Sequence, residues 1–139
     1  MSQMRSSSSS PCSVKRMGRA KAKGTLMESK VVGYLRARFD DTEETIHRAT
    51  LHGTRDVGDI HGLKHRGKSI VIEVKNCRKF EPKEWLRQAE RERGNADATY
   101  GVVVFHVNGI GLEANIGEQG VLMTLDTFCR MIGAADESD

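Results

Sequence analysis

Apolar positions fall into two regimes along this chain: helical spacing before residue 40, and alternation from residue 57 onward. Leu26, Val31, Val32, Leu35 and Phe39 recur at the interval of one helical face, with Lys30, Arg36 and Arg38 mostly on the other side. Thr25 opens this helix, with Glu28 three residues on as its partner in a capping box. Asp40 and Asp41 end it. After a polar linker, IHRATLHGTRD reads as a short strand running into a loop with Gly53. VGDIHGL (Val57 to Leu63) and SIVIEVKN (Ser69 to Asn76) read as two strands joined by the turn HRGK. In the second strand Ile70, Ile72 and Val74 take one face and Val71, Glu73 and Lys75 the other, because successive side chains alternate. Pro82 suits the first turn of a helix over residues 82–94, closed by Gly94, with Trp85, Leu86 and Ala89 facing inward. YGVVVFHV is the clearest strand, and Asn108-Gly109 is a turn signal. A last strand covers residues 121–124, and Thr124 caps a short helix, LDTFCRMI. This order predicts an α/β fold, a mixed central sheet with helices on its faces.

Composition adds a boundary. The chain has 139 residues, 37% of them hydrophobic, enough for one domain with an ordinary core. Residues 1–23 are poor in apolar residues, carry a serine run, and contain Arg5, Lys15, Arg16, Arg19, Lys21 and Lys23 with no acid. They read as a disordered basic arm, attached to a domain over residues 24–133 and an acidic tail over 134–139. Such an arm either adds salt-dependent affinity for nucleic acid or only solubilises the chain. No apolar run approaches the roughly 20 residues of a membrane span, and the N-terminus has no hydrophobic segment of a secretory signal. Cys12, Cys77 and Cys129 are odd in number, with no C-x-x-C spacing. That argues for reduced thiols in the cytoplasm and against a zinc knuckle or a disulfide framework. Neither G-x-G-x-x-G nor a P-loop is present.

The candidate chemistry lies across the hairpin. Asp59 on the first strand and Glu73 on its partner can meet at the strand ends. With the Val74 backbone carbonyl they make an oxygen-rich site for Mg²⁺, and Lys75 beside them can position and help deprotonate an attacking water. Asp56 competes with Asp59 for this place; Asp59 is preferred because Ile60 and Leu63 follow it as strand residues, whereas Asp56 sits beside Arg55 in a loop. Glu28 serves equally as a helix cap or as an outer metal ligand. Arg78, Lys79, Lys83, Arg87, Arg91 and Arg93 can form a face for backbone phosphates. Glu84, Glu90 and Glu92 interleave with them, so a salt-bridged solvent face is the reading for most. His61 and His65 sit on a strand and a turn and are given no metal, His52 lies near the substrate loop, and Trp85 belongs to the core.

The run G-D-I at residues 58–60, followed by I-E-V-K at 72–75, resembles the PD-(D/E)XK nuclease superfamily, with Gly58 standing where that motif has proline. Lys23, Gly24, Thr25 and Glu28 match the K-G-T-x-x-E opening of archaeal-type Holliday junction resolvases and related phage enzymes, and Arg48 with HGTRD (52–56) matches their polar loop. The resemblance spans roughly residues 23 to 107. It implies a restriction-endonuclease-like fold and a homodimeric, metal-dependent endodeoxyribonuclease acting in DNA recombination and repair. It further implies Mg²⁺, replaceable by Mn²⁺, held by Glu28, Asp59, Glu73 and the Val74 carbonyl, with Lys75 orienting the water and Gln88 near the site. Lys23, Arg48, His52, Thr54, Arg55, Arg78 and Lys79 would contact branched or duplex DNA, in the cytoplasm of a cell or of a viral host. Two further readings keep the scaffold: a restriction-like or repair nuclease on linear or flapped DNA, and a non-catalytic DNA-binding protein.

Overall fold

The computed structural model describes residues 17–50 and 55–135. His52 and Thr54 of the expected DNA-contacting loop lie outside the described residues, as do residues 1–16 of the basic arm and 136–139 of the acidic tail.

The first helix, α1, spans Met17–Arg38, so it begins inside the segment read as a disordered arm. Thr25 and Glu28 therefore lie in a helix interior, and no capping box forms at Thr25. Met27, Val31 and Val32 are its buried stripe, whereas Leu26 and Phe39, expected on the apolar face, are 51% and 60% exposed. Asp41 closes the following turn: its carboxylate accepts from the Thr45 and Ile46 amides at 3.0 and 2.8 Å, and these bonds hold it below the usual carboxylate range.

Five strands follow: β1 (His47–Arg48), β2 (Ile60–His65), β3 (Lys68–Lys75), β4 (Tyr100–Phe105) and β5 (Gly120–Leu122). They lie side by side in that order. β3 and β4 are parallel and every other pair is antiparallel. The hairpin turn between β2 and β3 has positive φ at both Arg66 and Gly67, 53° and 79°, the hand that matches the strand twist. A bulge interrupts β2 between Ile60 and Leu63. Gly62 sits in it with φ +97°, and a Cβ there would stand 1.9 Å from the Thr45 carbonyl oxygen. The bulge thus lets the chain entering β1 cross directly over β2.

Two helices complete the fold, α2 (Pro82–Ala96) and α3 (Leu125–Met131). Pro82 occupies the first turn of α2, and Asp97 in the left-handed conformation ends it, past Gly94. Thr124 caps α3 by accepting from the Thr127 amide at 3.1 Å. β3 separates two cores. Ile70, Ile72 and Val74 pack with Met27, Val31 and Val32 of α1 on one face. Trp85 and Ala89 of α2 pack with Val103 on the other. Phe80 and Phe105 stack around Trp85 at 5.4 and 5.9 Å, which fixes the first half of α2 on the sheet. The architecture is α/β, a five-stranded mixed sheet flanked by three helices. Among the described residues, no helix is long and apolar enough to cross a membrane. Cys129 is a free thiol and Cys77 is disulfide-bonded, so the expectation of reduced thiols fails at Cys77.

Candidate functional site

Glu73 and Lys75 do not form a solvated face. They are 6% and 7% exposed, because α2 lies over that side of β3. Their ion pair closes at 3.3 Å. Burial of such a pair demands further hydrogen bonds, and α2 supplies one. Gln88 donates from Nε2 to Glu73 Oε2 and to Glu92 Oε2, each at 2.9 Å. Gln88 thereby ties the strand carboxylate to a second carboxylate one helical turn further on.

Glu92 was expected on a solvent face and is 1% exposed. Its neighbours explain the difference: Trp85, Gln88, Ala89 and Glu92 share one stripe at helical spacing. The salt-bridged solvent face exists beside it, with Arg93 to Glu90 at 2.7 Å and Arg91 to Glu84 at 4.0 Å. Glu92 is the member of the charged series that points the other way.

The loop before β2 brings two more acids. Asp59 hydrogen-bonds across the hairpin at both levels. Its amide donates to the Ile72 carbonyl at 2.9 Å, and its Oδ2 accepts from the Val74 amide at 2.8 Å. Asp56 Oδ1 accepts from the Gly58 amide at 3.0 Å, while its carbonyl accepts from Asn95 Nδ2 at 2.8 Å. The loop is so pinned to the end of α2. Gly58 between these acids has φ +93°, and a Cβ on it would meet Val71 Cγ2 at 2.4 Å. Glycine is required there on both counts.

Electrostatics mark the cluster. Burial, then the Glu73 charge, pushes the Asp59 carboxyl up to about 8. The same two causes push Glu92 up to about 11, and hydrogen bonds of its acid form to Glu73 and Asp56 act in the same direction. Glu28 is also raised, first by burial and then by the Asp59 charge, against the opposing Arg48 guanidinium. Three carboxylate oxygens are buried with no hydrogen-bond partner, Glu73 Oε1, Glu81 Oε1 and Glu92 Oε1, and those of Glu73 and Glu92 belong to this cluster. One oxygen from each of Asp56, Glu73 and Glu92 lies within 4.8 Å of the others, close enough to hold a metal ion.

Of the residues picked from sequence, Asp59, Glu73, Lys75 and Gln88 converge through the contacts above. Glu28 approaches Asp59 from α1 but is engaged by Arg48, whose Nε donates to it at 3.0 Å. Arg55 donates to the Asn95 side chain at 3.2 Å. Lys23, Arg78 and Lys79 are exposed. Lys23 and Arg78 flank the end of β3 through their carbonyls, which accept from Asn76 and Asn108 at 3.3 and 3.1 Å. The Val74 amide is used by Asp59. Glu92 and Asp56 join the cluster although the sequence pattern favours neither; the signal for Glu92 is its place seven residues after Trp85, on the same helical stripe. No family model, curated protein or solved structure matches this chain.

Proposed function

We propose that the chain is a Mg²⁺-dependent endonuclease that hydrolyses phosphodiester bonds of DNA and resolves four-way junctions. One observation supports the reading above the others: a buried Glu73–Lys75 pair, 3.3 Å apart, with Asp59 hydrogen-bonded to the backbone of the intervening residue, Val74. A lysine kept nearly out of solvent beside a group of carboxylates has no surface role, and placement at a reacting phosphate accounts for it. The donor set is all oxygen, which suits a hard divalent cation. The buried Glu73 Oε1, left without a hydrogen-bond partner, is the kind of group such an ion satisfies.

In this reading Glu28, Asp59, Glu73 and the Val74 carbonyl would hold the ion, which when bound would supply positive charge against the charge that develops on the phosphate oxygens. Glu73 fixes the Lys75 ammonium at one donor and leaves the others to orient the attacking water in line with the scissile bond. Gln88 keeps Glu73 in its rotamer. Lys23, Arg78 and Lys79 take backbone phosphates at the open end of β3, and Arg48, Arg55, His52 and Thr54 are further DNA contacts in this reading. Hydrolysis leaves a 5′-phosphate and a 3′-hydroxyl. Paired nicks on a four-way junction need two sites related by a two-fold axis, hence a homodimer.

The test is cleavage of a mobile four-way junction, a linear duplex and a single strand, each with Mg²⁺ or with EDTA. Symmetric nicks on the junction alone, absent with EDTA and in Asp59→Asn, are expected. Equal cutting of linear duplex would replace junction resolution by the restriction-like or repair reading, and binding without cutting in any metal would leave a DNA-binding protein.

A further inference from the structure

We propose that Asp56, Glu73 and Glu92 bind a divalent cation of their own on the α2 side of Glu73, separate from the ion read at Glu28, Asp59 and Glu73. The three carboxylates each bring one oxygen within 4.8 Å of the others, and they come from three elements: the loop before β2, β3 and α2. Proximity of acids alone would not carry this. A second observation does. Glu92 is 1% exposed and Glu73 6% exposed, and each presents an Oε1 that is cut off from solvent with no hydrogen-bond partner.

The protein answers these oxygens with too little positive charge. The Lys75 ammonium is engaged by Glu73 Oε2, and Gln88 Nε2 is divided between the Oε2 atoms of Glu73 and Glu92. Neither Lys75 nor Gln88 bonds to the two Oε1 atoms, and a small cation with oxygen ligands completes them. Space in front of Glu92 is kept by Gly58, whose missing Cβ would stand 3.6 Å from Glu92 Oε1. Asp56 is the exposed member of the three and gives the ion its way in from solvent. Its carboxylate is pre-set by the Gly58 amide, and its backbone is tied to α2 through Asn95. Glu73 is common to both ligand sets, the arrangement of paired-ion phosphoryl-transfer sites. The role of the first ion rests on the nuclease reading, whereas the second ion rests on the placement of Asp56, Glu73 and Glu92.

The experiment counts Mn²⁺ bound to the metal-free full chain, from the spin-resonance signal of free Mn²⁺ during titration. Wild type, Glu92→Gln, Asp56→Asn and Asp59→Asn are compared, with circular dichroism confirming that each is folded. Wild type is expected to bind two ions per chain and Glu92→Gln one. Asp56→Asn, at an exposed position that the fold tolerates, should weaken one ion by roughly tenfold or more. Asp59→Asn should retain the ion that Glu92→Gln loses. If Glu92→Gln and Asp56→Asn leave both the number and the affinity of bound ions unchanged, the proposal is overturned and Glu92 is a buried, protonated acid that holds Gln88. Two ions, one lost with Glu92, in a protein that cuts no DNA would sustain this site and sink the nuclease reading. Junction cleavage by a protein whose ion count ignores Glu92 would do the reverse.

Discussion

Replacing Glu92 by glutamine should make the metal-free protein more stable, by an amount set by pH. Glu92 is raised from 4.5 to about 11 in the folded chain. Below pH 4.5 both folded and unfolded states carry its proton, and the group contributes its full stability. As pH rises past that point the unfolded chain ionises and the folded chain does not, so stability falls until the folded group itself titrates near 11. Each pH unit corresponds to about 1.4 kcal/mol. At pH 7, 2.5 units above the unfolded value, wild type has lost about 3 kcal/mol through this one group. Glutamine keeps the shape, accepts from Gln88 with its oxygen, and turns its amide toward Glu73 where the acid proton stood, with nothing to titrate. Urea unfolding in EDTA at about pH 5, 7 and 9 measures both proteins, and their difference removes the titrating groups that do not interact with Glu92. The gap in favour of Glu92→Gln should open by about 1.4 kcal/mol per pH unit. Saturating Mn²⁺ should reverse its sign, because only wild type can exchange that proton for an ion. Parallel pH profiles for the two proteins in EDTA would refute the account of Glu92 as a buried, proton-holding acid.

Three other expectations follow from the same geometry. Lys75→Met strands Glu73 as an unpaired buried charge and should cost about 3 kcal/mol in urea unfolding, with part of the loss recovered when Glu73→Gln is added. Gly58→Ala meets both a φ of +93° and Val71 Cγ2 at 2.4 Å, so it should cost about 2 kcal/mol or more; adding Val71→Ala should relieve the contact but not the backbone strain. Trp85→Ala empties the centre of the α2 core and should lower stability by about 3–5 kcal/mol in thermal or urea unfolding.

The sequence made the sheet readable because its strands alternate or run apolar, and its turns carry the residues they need: Arg66-Gly67 in the hairpin, Pro82 at the start of α2, Thr124 at the cap of α3. The start of α1 was hidden because residues 17–23 are basic and poor in apolar side chains, and composition of that kind reads as an arm even where the backbone is helical. Alternation showed that Glu73 and Lys75 share a face but could not show that the face is covered. That depends on α2, whose inward stripe joins apolar Trp85 and Ala89 to polar Gln88 and Glu92. A hydrophobicity pattern scores the last two as outward, and only the contact with Glu73 reverses them. Asp56 and Asp59 were weighed as rivals because one strand position was assumed, whereas the turn at Gly58 brings both acids toward Glu73.

The parallel pairing of β3 with β4 sets the moment at which the acids meet. The β2–β3 hairpin is local in sequence and brings Asp59 to the Val74 amide without help from the rest of the chain. β4 cannot join until α2 has crossed over the sheet, a longer closure and a slower one. That same crossover carries Glu92 down onto Glu73. The cost of bringing acids together is therefore divided between the hairpin, where Asp59 meets Glu73, and the later crossover, where Glu92 does. A divalent cation present while the chain folds should speed that closure, an effect read by stopped-flow refolding in Mg²⁺ against EDTA.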